Sequence, residues 1–177
     1  SAGVQAVAAR ANVATGSVYR HFASKDDLFT EVFRRAAARE LAAVEAAARD
    51  DGRPLAERIA AAAEAFARRA LAEPTRAYAL LAEPVDAAVE TQRLVFRRGY
   101  RDLFARTLQQ GVDRGELAPH DSDTVAAAIV GALGEALVGP LSSRKGSETL
   151  IATLVTFATN ALPASSLFPL PSSLETQ

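Results

Sequence analysis

Apolar residues recur at intervals of three and four along most of this chain, which is the spacing of a buried face on an α-helix. Glycine and proline residues near positions 52–54, 74, 84, 115 and 139–140 divide the chain into segments of helical length. We therefore expect helices over 4–11, 15–22, 24–50, 54–73, 75–82, 86 to 111 or 114, 121–138 and 147–162. No strand pattern competes with this one, so the predicted fold class is all-α.

Residues 4–22 predict two short helices joined by a tight turn. The first helix has an apolar stripe formed by Val4, Val7, Ala8 and Ala11. Asn12 tolerates the left-handed backbone conformation, so it is expected to end this helix. We expect Val13 to fill the space between the helices and Thr15 to cap the second helix with its hydroxyl. Val18 and Phe22, four residues apart, give the second helix its buried face.

The opposite face of the second helix carries small and polar side chains, namely Thr15, Gly16, Ser17, Tyr19, Arg20 and His21. Small residues at the front of the helix would allow close approach to a groove, and the larger ones can donate hydrogen bonds to phosphate. This is the layout of a DNA-binding helix-turn-helix. The first 25 residues carry three cations and no acidic residue, whereas the whole chain has a formal net charge of −1. The basic module therefore sits on a slightly acidic body.

A long helix is predicted directly after this module. Ser24 lies three residues before Asp27, which resembles a capping box. The apolar face of this helix is formed by Leu28, Phe29, Val32 and Phe33. It would connect the module to the rest of the chain, with Lys25 in its first turn.

This segment resembles the tetracycline-repressor (TetR) family of bacterial regulators. The resemblance is carried by Asn12-Val13-Ala14, by Val18-Tyr19-Arg20-His21-Phe22 and by Ser24-Lys25-Asp26-Asp27-Leu28-Phe29. It covers about the first 33 residues and implies a further helix before Val4. It also implies DNA contacts by Thr15, Gly16, Ser17, Tyr19, Arg20, His21 and Lys25. The first three are expected near base edges, and Tyr19, His21 and Lys25 are expected at phosphates.

The resemblance further implies an effector pocket between the linking helix and the helices that follow it. The candidate lining residues are Phe66, Tyr78, Leu81, Gln92, Phe96, Tyr100 and Phe104. Phe96, Tyr100 and Phe104 share one helical face, and such a stripe is more often part of a core than the lining of a pocket. Glu135 interrupts an apolar helix, either as a buried carboxylate with a cationic partner or at the edge of a dimer surface.

The last two predicted helices have broad apolar faces with small residues that permit close approach. The candidate dimer-interface residues are Val125, Ile129, Ala132, Leu133, Ala136, Leu150, Leu154 and Phe157. Two such helices per subunit can form a four-helix bundle across a two-fold axis, and the family resemblance favours this arrangement. The alternative is a core within one chain.

The remaining composition excludes several classes of protein. The chain has no cysteine, so it has no disulfide, no thiol nucleophile and no zinc finger. The two histidines, His21 and His120, have no neighbours that suggest a catalytic triad or a metal set, and no phosphate-binding loop is present. We expect no enzyme activity, no cofactor, no metal and no membrane span.

Three regions follow from these patterns. Residues 1–33 form a helix-turn-helix DNA-binding domain with the start of the linking helix, residues 34–162 form a helical ligand-binding and dimerisation domain, and residues 163–177 form an irregular tail. The predicted function is that of a cytoplasmic, homodimeric transcriptional regulator. It would be a repressor that binds a palindromic operator in double-stranded DNA and responds to an unidentified small-molecule effector. The alternative is a helical protein-interaction module that does not bind DNA.

Overall fold

The computed structural model describes residues 3–163, and all regular secondary structure in this range is helical. Its helices are α1 (Val4–Arg10), α2 (Thr15–His21), α3 (Lys25–Ala47), α4 (Leu55–Ala72), α5 (Pro74–Leu81), α6 (Ala87–Asp113), α7 (Ser122–Ser143) and α8 (Glu148–Asn160). The prediction of an all-α fold is confirmed. Apart from Pro163, the predicted tail lies outside the described residues.

Most of the helix starts follow the predicted capping chemistry. Ser24 Oγ accepts the N–H of Asp27 at 3.0 Å, and Ser147 Oγ accepts that of Leu150 at 3.1 Å. Asp86 caps α6 in the same way. Thr15 does not cap α2, because it is already the first helical residue and Ala14 occupies the cap position without a side-chain bond.

Helix α7 does not end at Gly139-Pro140, as the sequence suggested, but continues to Ser143 with Pro140 inside it. A proline removes one hydrogen bond from the helix. Burial of Leu141, which is 2% exposed in the core, favours keeping the last turn helical. The helix ends where Arg144 adopts a left-handed conformation with φ 54° and Lys145 N–H bonds to the carbonyl of Pro140 at 2.9 Å.

The core of the body lies around α4, which packs against α3, α6, α7 and α8. Alanine dominates the buried face of α4, and Ala62, Ala63 and Ala67 are at most 1% exposed. Such small side chains allow neighbouring helices to approach closely. The contact with α6 is so tight that a Cβ atom on Gly111 would clash with the side chain of Leu55.

Helix α3 is a single element of 23 residues that contains neither glycine nor proline. Near its start Leu28 is buried, Phe33 and Ala37 pack with Val89 of α6, and Val44 belongs to the main core. Val32, which was predicted on the apolar face, is 55% exposed instead. The helix therefore joins the amino-terminal module to the body without an intervening break.

Candidate DNA-binding surface and effector cavity

The turn between α1 and α2 is set by backbone conformation. Asn12 is left-handed with φ 53°, as predicted. Its N–H bonds to the carbonyl of Ala9 at 3.2 Å, and the N–H of Val13 bonds to that of Ala8 at 3.0 Å. These two bonds form a Schellman motif, which fixes the direction in which the chain leaves α1. The Val13 side chain does not fill the space between the helices, since it is 46% exposed.

Helix α2 presents its predicted DNA-facing side chains to solvent. None of its residues is buried, and Val18 and Phe22 on the inner side are half-buried. Tyr19 is 49% exposed, and Arg20 and His21 are exposed as well. Arg20 Nη2 lies 3.4 Å from Ser17 Oγ across one helical turn. Polar donors are thus available along the outer surface of this helix.

Gly16 lies in the first turn of α2, where neither packing within the described structure nor backbone conformation requires a glycine. A Cβ atom added there would meet nothing within 4 Å, and the backbone does not need a positive φ. Glycine in a helix costs about 0.5–1 kcal/mol relative to alanine. The open space in front of Gly16 is therefore consistent with close approach by a ligand from outside the chain.

Lys25 stands beside this surface at the start of α3. Its ammonium nitrogen lies 5.4 Å from the centre of the Phe29 ring, so the aromatic face orients the cation. The residue is exposed. Its charge is therefore held over the first turns of α3, and its exposure leaves it available to a phosphate.

A cavity of about 150 Å³ lies in the body and is bordered by α3, α4, α5, α6 and α7. Its apolar wall includes Phe33, Val44, Phe66, Leu81 and Phe96. Phe66 and Tyr100 meet edge to face, with ring centres 5.2 Å apart. The linking helix α3 supplies part of the wall, which places the cavity in direct contact with the element that carries the DNA-facing module.

Four of the seven predicted pocket residues border this cavity, namely Phe66, Leu81, Phe96 and Tyr100. Phe104, Tyr78 and Gln92 do not. Phe104 is 1% exposed inside the core, and Tyr78 packs against the same core. The aromatic stripe on α6 is thus divided between cavity and core. Glu135, an exposed residue, also borders the cavity.

A polar cluster that the sequence analysis missed interrupts the apolar wall. Glu40 of α3 accepts a hydrogen bond from Arg69 Nε of α4 at 2.6 Å and another from Arg76 Nη2 of α5 at 3.1 Å. Tyr100 lies beside this cluster, and burial together with the Glu40 charge raises the pKa of its phenol, which stays protonated. The available signal was the position of Glu40 on the helical stripe of Phe33, Ala37 and Val44, where a carboxylate needs partners.

Two further arginines of α6 border the cavity and differ in their roles. Arg93 pairs with Glu90 at 2.6 Å and donates to the carbonyl oxygens of Leu80 and Glu83, so it holds the carboxyl end of α5. Arg97 is exposed and has no hydrogen bond or ion pair to any residue of the described range 3–163. Arg93 is therefore structural, whereas Arg97 is available.

Only part of the predicted dimer surface is accessible. Ile129, Leu133 and Leu154 are buried in the core of this same chain, and Val125, Ala132 and Leu150 are half-buried. Ala136 is exposed, and Phe157 is 47% exposed. The alternative of an intrachain core therefore holds for the first three residues, while no part of residues 3–163 covers the outer sides of α7 and α8.

Helix α7 is unusually apolar for its degree of exposure. By length and composition alone it could cross a membrane, which the sequence analysis had excluded, and only 28% of its most apolar stretch is buried in the described structure. Both the apolar composition of α7 and its exposure are explained by small apolar residues on its outer side. Such a surface requires a cover, which a protein partner can provide.

The comparison with protein families agrees with this arrangement of module and body. Residues 1–32 match the model of the bacterial regulatory proteins of the tetR family, and residues 52–137 match that of the tetracyclin repressor-like C-terminal domain. The chain belongs to the TetR family. It is a DNA-binding transcriptional regulator of that family and not an enzyme. None of the curated proteins compared with it matches.

Solved structures of TetR-like proteins share its fold. The transcriptional regulator FadR from Bacillus subtilis, in complex with stearoyl-CoA, superposes with a TM-score of 0.76 at 16% identity, covering 90% of this chain and 88% of that one. The fatty acid degradation regulator FadR from Bacillus halodurans gives 0.74 at 17% identity, with 89% and 87% covered. NemR from E. coli, in its reduced form, gives 0.73 at 16% identity, with 93% and 88% covered.

Proposed function

We propose that this TetR-family regulator is a cytoplasmic homodimeric repressor that releases a palindromic operator when a small molecule fills the body cavity. The observation that carries the proposal is the continuity of α3. It begins four residues after the end of α2, Leu28 in its first turn is buried, and its middle turns line the cavity through Phe33, Ala37 and Glu40. A rearrangement at the cavity wall therefore reaches the module through one rigid element.

The uncovered sides of α7 and α8 support the proposal of a homodimer. Ala136 and Phe157 are exposed on helices whose other faces form the core, and the small residues around Ala136 would let a second copy approach. In an isologous dimer the same surface is used by both copies, so the two DNA-facing modules are related by a two-fold axis. Such a pair reads an inverted repeat when the two α2 helices are spaced by about 34–36 Å.

Within each module we assign different roles to the residues of α2 and its neighbours. Thr15, Gly16 and Ser17 lie at the end of the helix that would enter the major groove. Tyr19, Arg20, His21 and Lys25 carry donors suited to phosphate. Phosphate contacts add affinity on every sequence, whereas contacts at base edges select the sequence.

A cavity ligand acts on DNA affinity only if it binds the two conformations of the protein with different strength. DNA must then weaken ligand binding by the same factor. The complex of Bacillus subtilis FadR with stearoyl-CoA supports a small-molecule effector in a body of this fold.

The decisive experiment is selection from a random duplex library with the natural protein expressed from its own start codon. Sequencing of the bound pool, repeated at higher salt, should give an inverted repeat whose binding falls steeply with salt. Tyr19→Phe should weaken binding to all duplexes alike, whereas Ser17→Ala should change the preferred sequence. A folded dimer that enriches no sequence would instead indicate a helical interaction module without DNA reading.

A further inference from the structure

We propose that the effector is a compact apolar anion that binds the unused donors of Arg69 and thereby weakens the ion pair between Arg69 and Glu40. The inference depends on the regulator function proposed above and specifies the chemistry of the same cavity. In this mechanism, Glu40 is the residue through which ligand binding acts on the linking helix α3.

The charges that border the cavity favour an anion. Four arginines and two glutamates line it, and Arg93 is already committed to Glu90 and to backbone carbonyls. Arg97, like Glu135, is exposed and adds little to binding. Among the described residues, Arg69 uses only its Nε, for Glu40, so that both of its Nη atoms lack a hydrogen bond. A guanidinium with two unused parallel donors suits a carboxylate or a phosphate.

A cationic ligand finds no equivalent position. Glu40 already accepts hydrogen bonds from two guanidinium groups, and its side chain is only 14% exposed. Glu135, the other carboxylate, is exposed to solvent, where an ion pair contributes little. A cation would have to displace an arginine from Glu40, whereas an anion meets donors that are unoccupied.

The remaining wall is suited to an apolar body of limited size. Phe33, Phe66, Phe96 and Leu81 border a volume of about 150 Å³. The raised pKa of Tyr100 keeps its hydroxyl protonated beside Glu40 and Arg69. That hydroxyl makes no hydrogen bond within the described residues and can donate one to the head of the ligand.

The position of Glu40 gives the anion its effect on the linking helix. Glu40 is the residue of α3 that forms ion pairs with α4 and α5, through Arg69 and Arg76. A second anion on Arg69 places two negative charges on one guanidinium, and each weakens the contact of the other. Ligand binding therefore loosens α3 from α4 on the cavity side.

The test uses four probes of the same chain length: octanoate, octyl phosphate, octan-1-ol and octylammonium. For each we would measure the shift in melting temperature and the affinity for the selected operator. Octanoate or octyl phosphate should stabilise the protein and weaken operator binding, and the stronger of the two identifies the head group. Equal or larger effects of octan-1-ol or octylammonium would overturn the inference. The regulator function itself would stand if those probes still released DNA.

Variants of Glu40 and Arg69 separate competition from simple packing. Glu40→Gln should raise octanoate affinity on the order of tenfold, because it removes a negative charge beside the site. It should also lower operator affinity on the order of tenfold without any ligand. Arg69→Gln should lower octanoate affinity by at least about tenfold.

Glu45→Gln is the matched control, since Glu45 lies on the same helix and pairs with Arg106 at 3.4 Å on the exposed surface, away from the cavity. Its octanoate and operator affinities should equal those of the wild type. If Glu40→Gln behaves like Glu45→Gln in both measurements, Glu40 is not the sensor. Octanoate binding is measured without DNA. The comparison of the variants can therefore be interpreted even if the protein binds no duplex.

Discussion

The Nε of Arg58 in α4 donates a hydrogen bond of 3.0 Å to the carbonyl oxygen of Ala48, the residue that caps the end of α3. Arg58 is 2% exposed, and its Nη2 also donates to Gln110 of α6 at 2.7 Å. Its Nη1 lies 3.8 Å from a carboxylate oxygen of Asp50 and has no hydrogen bond. One buried guanidinium thus joins the end of the linking helix to two helices of the body.

Replacement of Arg58 by alanine should therefore destabilise the protein strongly. The change leaves the Ala48 carbonyl and the Gln110 amide without their partner, and we expect a loss of about 2–4 kcal/mol in the free energy of unfolding. Urea denaturation measures this loss. Arg68→Ala is the control, because Arg68 pairs with Glu64 and Glu148 on the exposed surface. It should cost much less than Arg58→Ala, because an exposed ion pair contributes little to stability, and equal losses in the two variants would refute the role given to Arg58.

Gly16→Ala should make the protein more stable and a weaker DNA binder. A Cβ at this position meets no atom of the chain, and the helix gains about 0.5–1 kcal/mol. The same methyl group occupies the space that DNA is proposed to enter. Melting temperature and operator affinity should therefore move in opposite directions.

The control for this prediction is Thr91→Ala, an exposed position in α6 with a similar gain in helix propensity. It should raise stability without changing operator affinity. Unchanged DNA binding by Gly16→Ala would show that Gly16 does not contact DNA.

Asn12→Gly should stabilise the DNA-binding module. A left-handed backbone with φ 53° costs an L-residue energy that glycine does not incur, and we expect a gain of about 0.5–1 kcal/mol. Amide hydrogen exchange in α1 would report the change locally. The neighbouring Ala11 has φ −82°, so Ala11→Gly should have the opposite sign, and a loss in both variants would contradict the assigned geometry.

Phe157→Asp should dissociate the proposed dimer into monomers. The side chain is 47% exposed on the outer side of α8, and a buried charge at a two-fold interface would face its own copy. Sedimentation equilibrium would show the change in mass. Leu94→Asp is the matched control, because Leu94 has a similar exposure of 56% but lies on a different helix, α6. If both variants dissociate, or if neither does, the dimer interface does not lie at Phe157.

Local chemistry made much of this fold predictable. The left-handed Asn12 and the caps at Ser24, Asp86 and Ser147 depend on neighbouring residues, and the sequence contains all of that information. The prediction that α7 ends at Gly139-Pro140 was wrong, because the effect of Pro140 depends on the burial of Leu141, which is a tertiary property. The cluster around Glu40 was missed for the same reason, since its partners lie 29 and 36 residues away in the chain.

The absence of any glycine or proline in α3 has a mechanical consequence. At about 1.5 Å per residue, Glu40 lies roughly 12 Å from the Ala48 end that Arg58 holds, and Lys25 lies roughly 35 Å from it. A rod that turns about its fixed end moves in proportion to the distance from that end. A displacement of the cavity wall at Glu40 is thus multiplied about threefold at the DNA-facing end. In the proposed mechanism, the distance of Glu40 from the fixed end of α3 determines this ratio of displacements.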